Sequence, residues 1–280
     1  MQIILAAENH RKQALRGLNR LPPFSPVLNR LIATLSLDET SLSRVAGIIE
    51  KDPVLAGNVL RMVNSALYGR LGRVHTVRHA VSLLGMERLR NVTMGLASFR
   101  AWNNVPVAAG WSMREFNRHS VSVAILADLI AQRGKLPCAE SAFTAGIFHD
   151  AGRLLIAAGL RREHAEIEWL RKESGRPRDE CERQVVGWTH ADLSADALAE
   201  WKLPDPIRAA VRYHHDPDSD PDSGNGLCLS RILWAADHYV NASGDDAGLR
   251  SVLEMLGLQQ ERTRILESFR AELSAIRSFF

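Results

Sequence analysis

Residues 142–154 read AFTAGIFHDAGRL, a small and apolar stretch that ends in an adjacent histidine and aspartate. The apolar run over residues 142–148 predicts a buried helix, so His149 and Asp150 would stand at the end of a core element. Because a bare carboxylate costs several kcal/mol to bury, this pair must be ion-paired, metal-bound or solvated. The pair therefore directs attention to other histidines and acids in the chain.

Such residues occur both before and after the pair. Glu115 and His119 are four apart, so both side chains would project from one face of a helix. Imidazole and carboxylate groups together suit zinc, iron or manganese, and carboxylates also suit magnesium. The pattern predicts a site for one or two divalent ions, although each histidine taken singly is more often structural. The remaining candidates are His190, the tandem pair His214 and His215, and Asp237 in an apolar setting.

Composition indicates an ordinary soluble globular protein. The 280 residues are 46% apolar and 24% charged, which is enough to bury a sizeable core and unlike a disordered chain. No segment has the roughly 18 uninterrupted apolar residues that a membrane span needs. The scattered cysteines Cys138, Cys181 and Cys228 form no disulfide framework or metal clip, so we expect reduced thiols and a cytoplasmic location.

Helical periodicity dominates the chain, and no convincing run of alternation with period 2 is present, so the predicted fold class is all-α. Asp52-Pro53 is typical of a helix start, residues 83–96 predict another helix, and residues 121–130 predict a buried one. The segment NNVPVAAG at 103–110 suggests a boundary. We therefore divide the chain into an N-terminal helical subdomain (1–108), a helical subdomain with the candidate metal site (109–245) and C-terminal amphipathic helices (246–280).

Arginine is concentrated between residues 61 and 100, where seven arginines stand against one acid, a local charge of 7 − 1 = +6. The guanidinium fork matches phosphate and other acidic groups, so this stretch could bind an anionic ligand or nucleic acid. A solvated helical face explains the same pattern equally well. The anionic-ligand candidates are Arg73, Arg78, Arg88 and Arg90.

Several motifs occur together and resemble those of one family, the HDOD domain (an output domain related to HD-domain phosphohydrolases and HD-GYP phosphodiesterases). The N-terminal half carries LPPFSPVLNRLIATLS at 21–36, IIEKDPVLAGNVLRMVNSALYG at 48–69 and VRHAVSLLGMERLRNVTMGLA at 77–97. The resemblance continues through RHSVSVA at 118–124, the histidine–aspartate segment, THADLSA at 189–195, LPDPIRAAVRYHH at 203–215 and AAD at 235–237. It covers about residues 15–245.

The resemblance implies an all-helical fold in which an N-terminal helical subdomain packs on an HD-type helical core. It also implies roles for the site residues. His119, His149, Asp150 and Asp237 match the ligands of a first metal, with Asp150 as the bridge. His190, His214 and His215 match the second-metal positions, and Glu115 falls where an additional ligand can sit.

Two departures separate the chain from HD-GYP enzymes. No glutamate follows His214 and His215, and no Gly-Tyr-Pro element exists anywhere in the sequence. Arg153 stands four residues after the motif histidine, where those enzymes have lysine. Arginine still contacts phosphate, with a different reach and geometry. These departures argue against cyclic-di-GMP hydrolysis and leave metal binding intact.

The functional prediction is a bacterial regulatory module for signal transduction, with a divalent-metal site and a protein partner or nucleotide-like ligand. The first alternative is a metal-dependent phosphohydrolase that uses a metal-bound hydroxide, with Asp150 and Arg153 as catalytic residues. The second is a nucleic-acid-binding regulator, which the turn between the helices at Glu50 and Asp52 favours only weakly. No membrane association is expected, and the sequence leaves homodimer formation open.

Overall fold

A computed structural model describes residues 2–16, 41–64, 74–83, 85, 102, 105–136, 139–224, 227–241 and 247–276. Within these ranges all regular secondary structure is helical and no residue lies in a strand, which confirms the predicted all-α class. None of the described helices is long and apolar enough to cross a membrane. Of the helix predicted over residues 83–96, only positions 83 and 85 are described.

The α-helices are numbered along the chain, and residues 77–83 form a further helical stretch. Two short 3-10 helices occupy Pro217–Ser219 and Gln259–Glu261. The α-helices are α1 (Gln2–Arg16), α2 (Leu42–Ile49), α3 (Pro53–Val63), α4 (Met113–Arg133), α5 (Ala139–Phe148), α6 (Ala151–Gly159), α7 (Arg161–Ser174), α8 (Arg178–Val186), α9 (His190–Glu200), α10 (Asp205–Arg212), α11 (Leu229–Asn241), α12 (Ala247–Met255) and α13 (Arg262–Ile276).

The chain divides into two compact units. One comprises Met1–Leu21 and Val105–Leu266, and the other comprises Pro22–Asn104 and Glu267–Phe280. The three segments expected from the sequence stay a prediction, because compact groups of contacts do not show which parts fold independently.

The smaller unit is organised by two capped helices. Ser41 caps α2 by accepting a hydrogen bond from the Arg44 backbone N–H, and Asp52 does the same for Leu55 at the start of α3. The Asn64 side chain then pairs with both backbone groups of Val74, at 2.7 and 2.8 Å. The helix start predicted at Asp52-Pro53 is confirmed. Apolar side chains, among them Val45, Ile49, Val59 and Val81, form the core of this unit.

The larger unit is built around α4, which is buried along nearly its whole length from Phe116 to Ala131. Helix α5 packs along α4, α11 packs on another side of α4, and α9 packs against α6 and α10. The burial of residues 121–130 follows the prediction, since these positions are apolar almost all round. Helix α4 therefore forms the centre on which the site-bearing helices are arranged.

Two glycines allow the helices that carry the site to approach closely. A Cβ added at Gly146 in α5 would lie 2.4 Å from the Ala124 Cα in α4. A Cβ added at Gly152 in α6 would lie 2.1 Å from the His190 carbonyl oxygen, and the Gly152 N–H donates to the Ser194 hydroxyl at 2.7 Å. Any larger residue at either position would have to push a helix backbone away.

Helix α1 lies against the segment that precedes α9. The Trp188 indole N–H donates to the Ala7 carbonyl at 3.0 Å, and Arg11 pairs with Asp196 at 2.5 Å. Asp196 also accepts a hydrogen bond from Arg212 at 2.9 Å. Because Asp196 lies on α9 and Arg212 on α10, this network ties the N-terminal helix to both helices.

Gly146→Ala is expected to lower the free energy of unfolding by about 3 kcal/mol, because the new methyl group would meet backbone atoms of α4 that cannot rotate away. Urea denaturation followed by circular dichroism measures the change. Gly57→Ala is the control, since nothing lies within 4 Å of a Cβ built there in the interior of α3. That control should raise stability by up to about 1 kcal/mol. Equal effects of the two substitutions would contradict the close approach at Gly146.

Candidate metal centre

Six helices place seven of the predicted residues in one cluster. His149 follows α5 directly, and Asp150 is the N-cap residue of α6. An aspartate at this position usually accepts a capping hydrogen bond, but the Asp150 side chain makes none, so both of its oxygens remain for the site. The other members are His119 in α4, His190 at the start of α9, His214 and His215 after α10, and Asp237 in α11.

The first half of the cluster contains two imidazoles and two carboxylates. His119 Nε2 lies 3.2 Å from His149 Nε2, 3.4 Å from Asp150 Oδ2 and 3.1 Å from Asp237 Oδ1. His149 Nε2 lies 3.5 Å from Asp150 Oδ2 and 3.7 Å from Asp237 Oδ1. Four potential ligand atoms from two helices, α4 and α11, and from the junction between α5 and α6 thus converge.

These separations fit a shared metal ion. Ligands about 2.1 Å from a metal lie about 3.0 Å apart in octahedral geometry and about 3.4 Å apart in tetrahedral geometry. The five measured separations, 3.1 to 3.7 Å, fall close to those values. Two imidazole nitrogens that face each other also need a proton or a cation between them. The first half therefore has the composition and spacing of a divalent-metal site.

The second half of the cluster contains three imidazoles. Each of these three rings offers one nitrogen that could bind a metal ion. The three nitrogens, from His190, His214 and His215, all lie within 4.8 Å of one another. His190 Nε2 is 2.9 Å from His215 Nε2 and 3.1 Å from Asp150 Oδ1. Asp150 therefore directs one oxygen towards each half, as a carboxylate that bridges two ions would do.

Backbone carbonyls orient two of the rings. His149 Nδ1 lies 2.7 Å from the Gly146 carbonyl, and His214 Nδ1 lies 2.6 Å from the Val211 carbonyl. Since a carbonyl oxygen only accepts, each Nδ1 must carry the proton, which leaves Nε2 of the neutral ring as the free donor of an electron pair. His214 Nε2 is buried and has no hydrogen-bond partner, as expected for an atom that would face a metal ion.

Glu182 belongs to the site, although the sequence did not single it out. It lies in α8, is fully buried and accepts hydrogen bonds from both the backbone N–H and Nδ1 of His190, each at 2.7 Å. Its only signal in the sequence is its position eight residues before His190, in a helix otherwise rich in exposed charge. A charged residue in such a helix is normally expected in solvent.

Neighbouring positive charges stabilise the two buried aspartates of the cluster in their ionised form. Burial alone would raise the pKa of Asp150, but the charges of Arg153 and His149 outweigh it and hold that pKa well below the usual range. Asp237 behaves likewise, since burial would raise its pKa but the hydrogen bond from His119 and the charge of His149 keep it well below the usual range. Both carboxylates are therefore ionised and favour a cation.

The pKa values of the imidazoles differ because the surroundings of the rings differ. Burial lowers the pKa of His190, yet the charge of Glu182 and hydrogen bonds with Asp150 and Glu182 overcome this and raise it to about 9. Burial, together with the charges of His149 and His190, lowers the pKa of His214 to about 3. Burial and the neighbouring His214 also lower the pKa of His215. Without a metal, protons on His190 balance the carboxylates.

Arg153 reaches the cluster from the first turn of α6. Its guanidinium donates to Asp150 Oδ2 at 2.5 Å, the same oxygen that faces His119 and His149. About a quarter of the side chain is exposed (26%), compared with 14% for His119 and 0% for His149. Arg153 thus connects the Asp150 carboxylate to the surface.

Other predicted residues lie apart from the cluster or outside the described residues. Glu115 is exposed at the first turn of α4 and belongs to none of the three groups of potential ligand atoms found among the described residues. Arg78 is exposed, with Nε 3.7 Å from Glu50 Oε1. The roles of Arg78 and Glu115 stay predictions. The other anionic-ligand candidates, Arg73, Arg88 and Arg90, lie outside the described residues.

In metal-free protein, His214 is expected to remain neutral with the proton on Nδ1 from about pH 5 to about pH 8. Its pKa of about 3 lies below the ordinary 6.5, so the unfolded chain binds a proton on this ring before the folded chain does. His214 therefore destabilises the fold progressively as the pH falls below 6.5, the ordinary pKa of histidine. Long-range ¹H–¹⁵N NMR measures both tautomer and titration. A titration midpoint of His214 near 6.5 would contradict the buried arrangement of this ring.

Comparisons with solved structures agree on the fold. An HDOD domain protein of unknown function from Geobacter sulfurreducens is 21% identical, with a TM-score of 0.79 over 98% of this chain and 99% of its own. A candidate signal transduction protein from Marinobacter aquaeolei VT8 is 23% identical, with a TM-score of 0.76 over 98% of this chain and 66% of its own. A candidate phosphohydrolase from Shewanella amazonensis SB2B is 23% identical, with a TM-score of 0.73 over 94% and 98% of the two chains.

A curated relative, an uncharacterized protein of Treponema pallidum (strain Nichols), is 20% identical over 92% of this chain. The chain spans about half the length of that relative, 51%. The model of the HDOD domain family matches residues 21–217, which is most of the chain and includes the histidine–aspartate pair. The resemblance inferred from the motifs is thereby confirmed: this chain belongs to the HDOD domain family.

Proposed function

We propose that this chain is a regulatory HDOD module whose histidine–aspartate cluster binds divalent metal ions. The observation that carries the proposal is the division of the Asp150 carboxylate, whose Oδ2 faces His119 and His149 while Oδ1 faces His190. An isolated structural ion pair does not need two sets of imidazoles on opposite oxygens of one buried carboxylate.

Two metal positions follow from this division. We define the first metal position by His119, His149, Asp237 and Asp150 Oδ2. We define the second metal position by His190, His214, His215 and Asp150 Oδ1. The two positions contain five imidazoles and two carboxylates, a set that favours manganese, iron or zinc over magnesium. No sulfur ligand contributes among these residues.

The regulatory part of the proposal rests on the family and on what this sequence lacks. The HD-GYP signature is missing after His214 and His215. One of the structurally similar proteins is a candidate signal transduction protein. We therefore propose that the metal-bound module recognises a protein partner or a nucleotide-like ligand. The arginine-rich stretch between residues 61 and 100 is the candidate anionic-ligand surface, and nucleic acid is the less favoured partner.

Protein purified without chelator and titrated with Mn²⁺ is expected to bind two ions per chain. Asp237→Asn should remove the first ion only, because its carboxylate faces only the first position, whereas Asp150→Asn should weaken both. Loss of a ligand or its orienting group costs about 10- to 100-fold in metal affinity or more. Isothermal titration calorimetry and elemental analysis measure affinity and stoichiometry.

Asp222→Asn is a matched control for these substitutions, since Asp222 is an exposed aspartate in the loop after α10. It should leave both ions bound. Circular dichroism establishes that each variant is folded before its metal content is compared. If the folded wild-type protein binds no Mn²⁺, Fe²⁺ or Zn²⁺, the proposed metal-binding function is wrong.

A second candidate function, metal-dependent phosphohydrolysis, is favoured by the position of Arg153. This residue is partly exposed and contacts the bridging carboxylate, so it lies where it could hold a phosphate group beside the metal positions. A divalent ion, when bound, lowers the pKa of a water molecule and thereby supplies a nucleophile at neutral pH. Arg153 would then orient the phosphate towards this nucleophile and offset the negative charge of the phosphate.

If this second function holds, Mn²⁺-loaded protein should hydrolyse a phosphoester such as bis(p-nitrophenyl) phosphate, and Arg153→Gln should slow turnover by about 100-fold. Metal content should remain at two ions, because Arg153 is not a ligand. Arg162→Gln, an exposed arginine in α7, is the control and should keep full activity. Turnover that is insensitive to both Asp150→Asn and Arg153→Gln would assign the activity to a contaminant.

A further inference from the structure

Glu182 makes an unusual pair of hydrogen bonds with a predicted metal ligand. A single oxygen, Oε2, accepts from both the backbone N–H and the ring Nδ1 of His190, each at 2.7 Å. The backbone bond fixes the start of α9, and the ring bond fixes the rotation of the imidazole on that backbone. Since Thr189 and Asp192 form a capping box at the same helix start, the segment has little freedom to move.

The fixed ring directs His190 Nε2 into the second metal position. That nitrogen lies 3.1 Å from Asp150 Oδ1 and 2.9 Å from His215 Nε2. If the ring flipped, Nδ1 would face the cluster and the Glu182 carboxylate would keep only the backbone N–H of its two His190 donors. Loss of a hydrogen bond to a buried carboxylate is costly, so the present orientation is favoured.

Glu182 also supplies negative charge that other groups only partly neutralise. Its side chain is fully buried, and Oε1 has no hydrogen-bond partner. The nearest described guanidinium, Arg178 Nη1, is 3.9 Å from Oε1, and Arg178 also bonds to Glu168. Part of the Glu182 charge therefore acts on His190, where it increases the ability of Nε2 to bind a cation.

The ligands of the first metal position are oriented by different groups. His149 is oriented by the neutral carbonyl of Gly146 rather than by a carboxylate. Among the described residues, the hydrogen bonds of Glu182 reach His190 and no member of the first position. The two positions thus depend on different outer contacts, and a change at Glu182 should affect only one of them.

We propose that Glu182 is the positioning residue of the second metal position, holding His190 in its metal-binding tautomer and orientation and strengthening it as a ligand by its charge. This inference rests on the proposed metal-binding function and adds to it a separate control of the second ion. Glu182 itself is not a proposed ligand, because it bonds to Nδ1 of His190, on the edge of the ring away from Nε2, and to the His190 backbone N–H.

Two substitutions separate the charge of Glu182 from its hydrogen bonding. Glu182→Gln keeps an oxygen that can accept from His190 and removes the charge, while Glu182→Leu removes both. The glutamine variant is similar in size and guards against a failure of the leucine variant to fold. Glu180→Gln is the matched control, because Glu180 is an exposed glutamate on the same helix.

In Mn²⁺ titrations, Glu182→Gln is expected to weaken the second ion by about 10-fold and leave the first unchanged. Glu182→Leu is expected to weaken the second ion by about 100-fold, which leaves one ion per chain at moderate Mn²⁺ concentration. Glu180→Gln should match the wild-type protein. Combined with Asp237→Asn, which removes the first ion, Glu182→Leu should leave a folded protein with almost no bound Mn²⁺.

A second readout distinguishes positioning from general stability. Long-range ¹H–¹⁵N NMR of Zn²⁺-loaded protein should show His190 with Nδ1 protonated and Nε2 unprotonated in the wild type and in Glu182→Gln, and a changed pattern in Glu182→Leu. A merely structural role would lower the unfolding temperature without changing tautomer or stoichiometry. Wild-type protein that binds two ions while both Glu182 variants also bind two with unchanged affinity overturns this inference alone. Wild-type protein that binds no ion overturns the proposed function as well.

Discussion

The carboxylate of Asp150 is buried at the N-terminus of α6, and its oxygens face partners from several helices. Arg153 and His149 adjoin it along the chain, while His119 comes from α4 and His190 from α9. Each partner supplies a proton or positive charge, and without them the ionised group would be too costly to bury. The requirement to balance this one charge therefore joins the stability of the larger unit to the geometry of its site.

That balance depends on short distances between helix backbones. Imidazole and carboxylate side chains reach only a few ångströms, so α4, α5, α6 and α9 must approach closely for their side chains to meet. Gly146 permits the approach of α5 to α4, and Gly152 permits the approach of α6 to α9. Both glycines flank the histidine–aspartate pair in the same short segment. The segment thus provides ligands and also removes the side-chain bulk that would keep the other ligands away.

Much of this arrangement could be predicted from the sequence, because apolar periodicity shows which helices are buried and makes polar residues on them conspicuous. His149 and Asp237 stand out for this reason, each following a run of apolar residues. Glu182 could not be recognised in the same way, since its helix is mostly charged and its burial depends on packing that the sequence pattern does not report. For Glu115 the four-residue spacing to His119 indicates a shared helical face, but the spacing alone does not report that the Glu115 side chain is exposed.

The outer contacts make the two proposed metal positions electrostatically unequal. On the side of the first position, Asp150 Oδ2 already accepts a hydrogen bond from the Arg153 guanidinium, which reduces the negative charge available to an ion there. On the side of the second position, the buried Glu182 carboxylate adds negative charge behind His190. We therefore expect a cation to bind more tightly at the second position than the ligand counts alone would indicate. Two positions of unequal affinity would fill in two steps as the metal concentration rises.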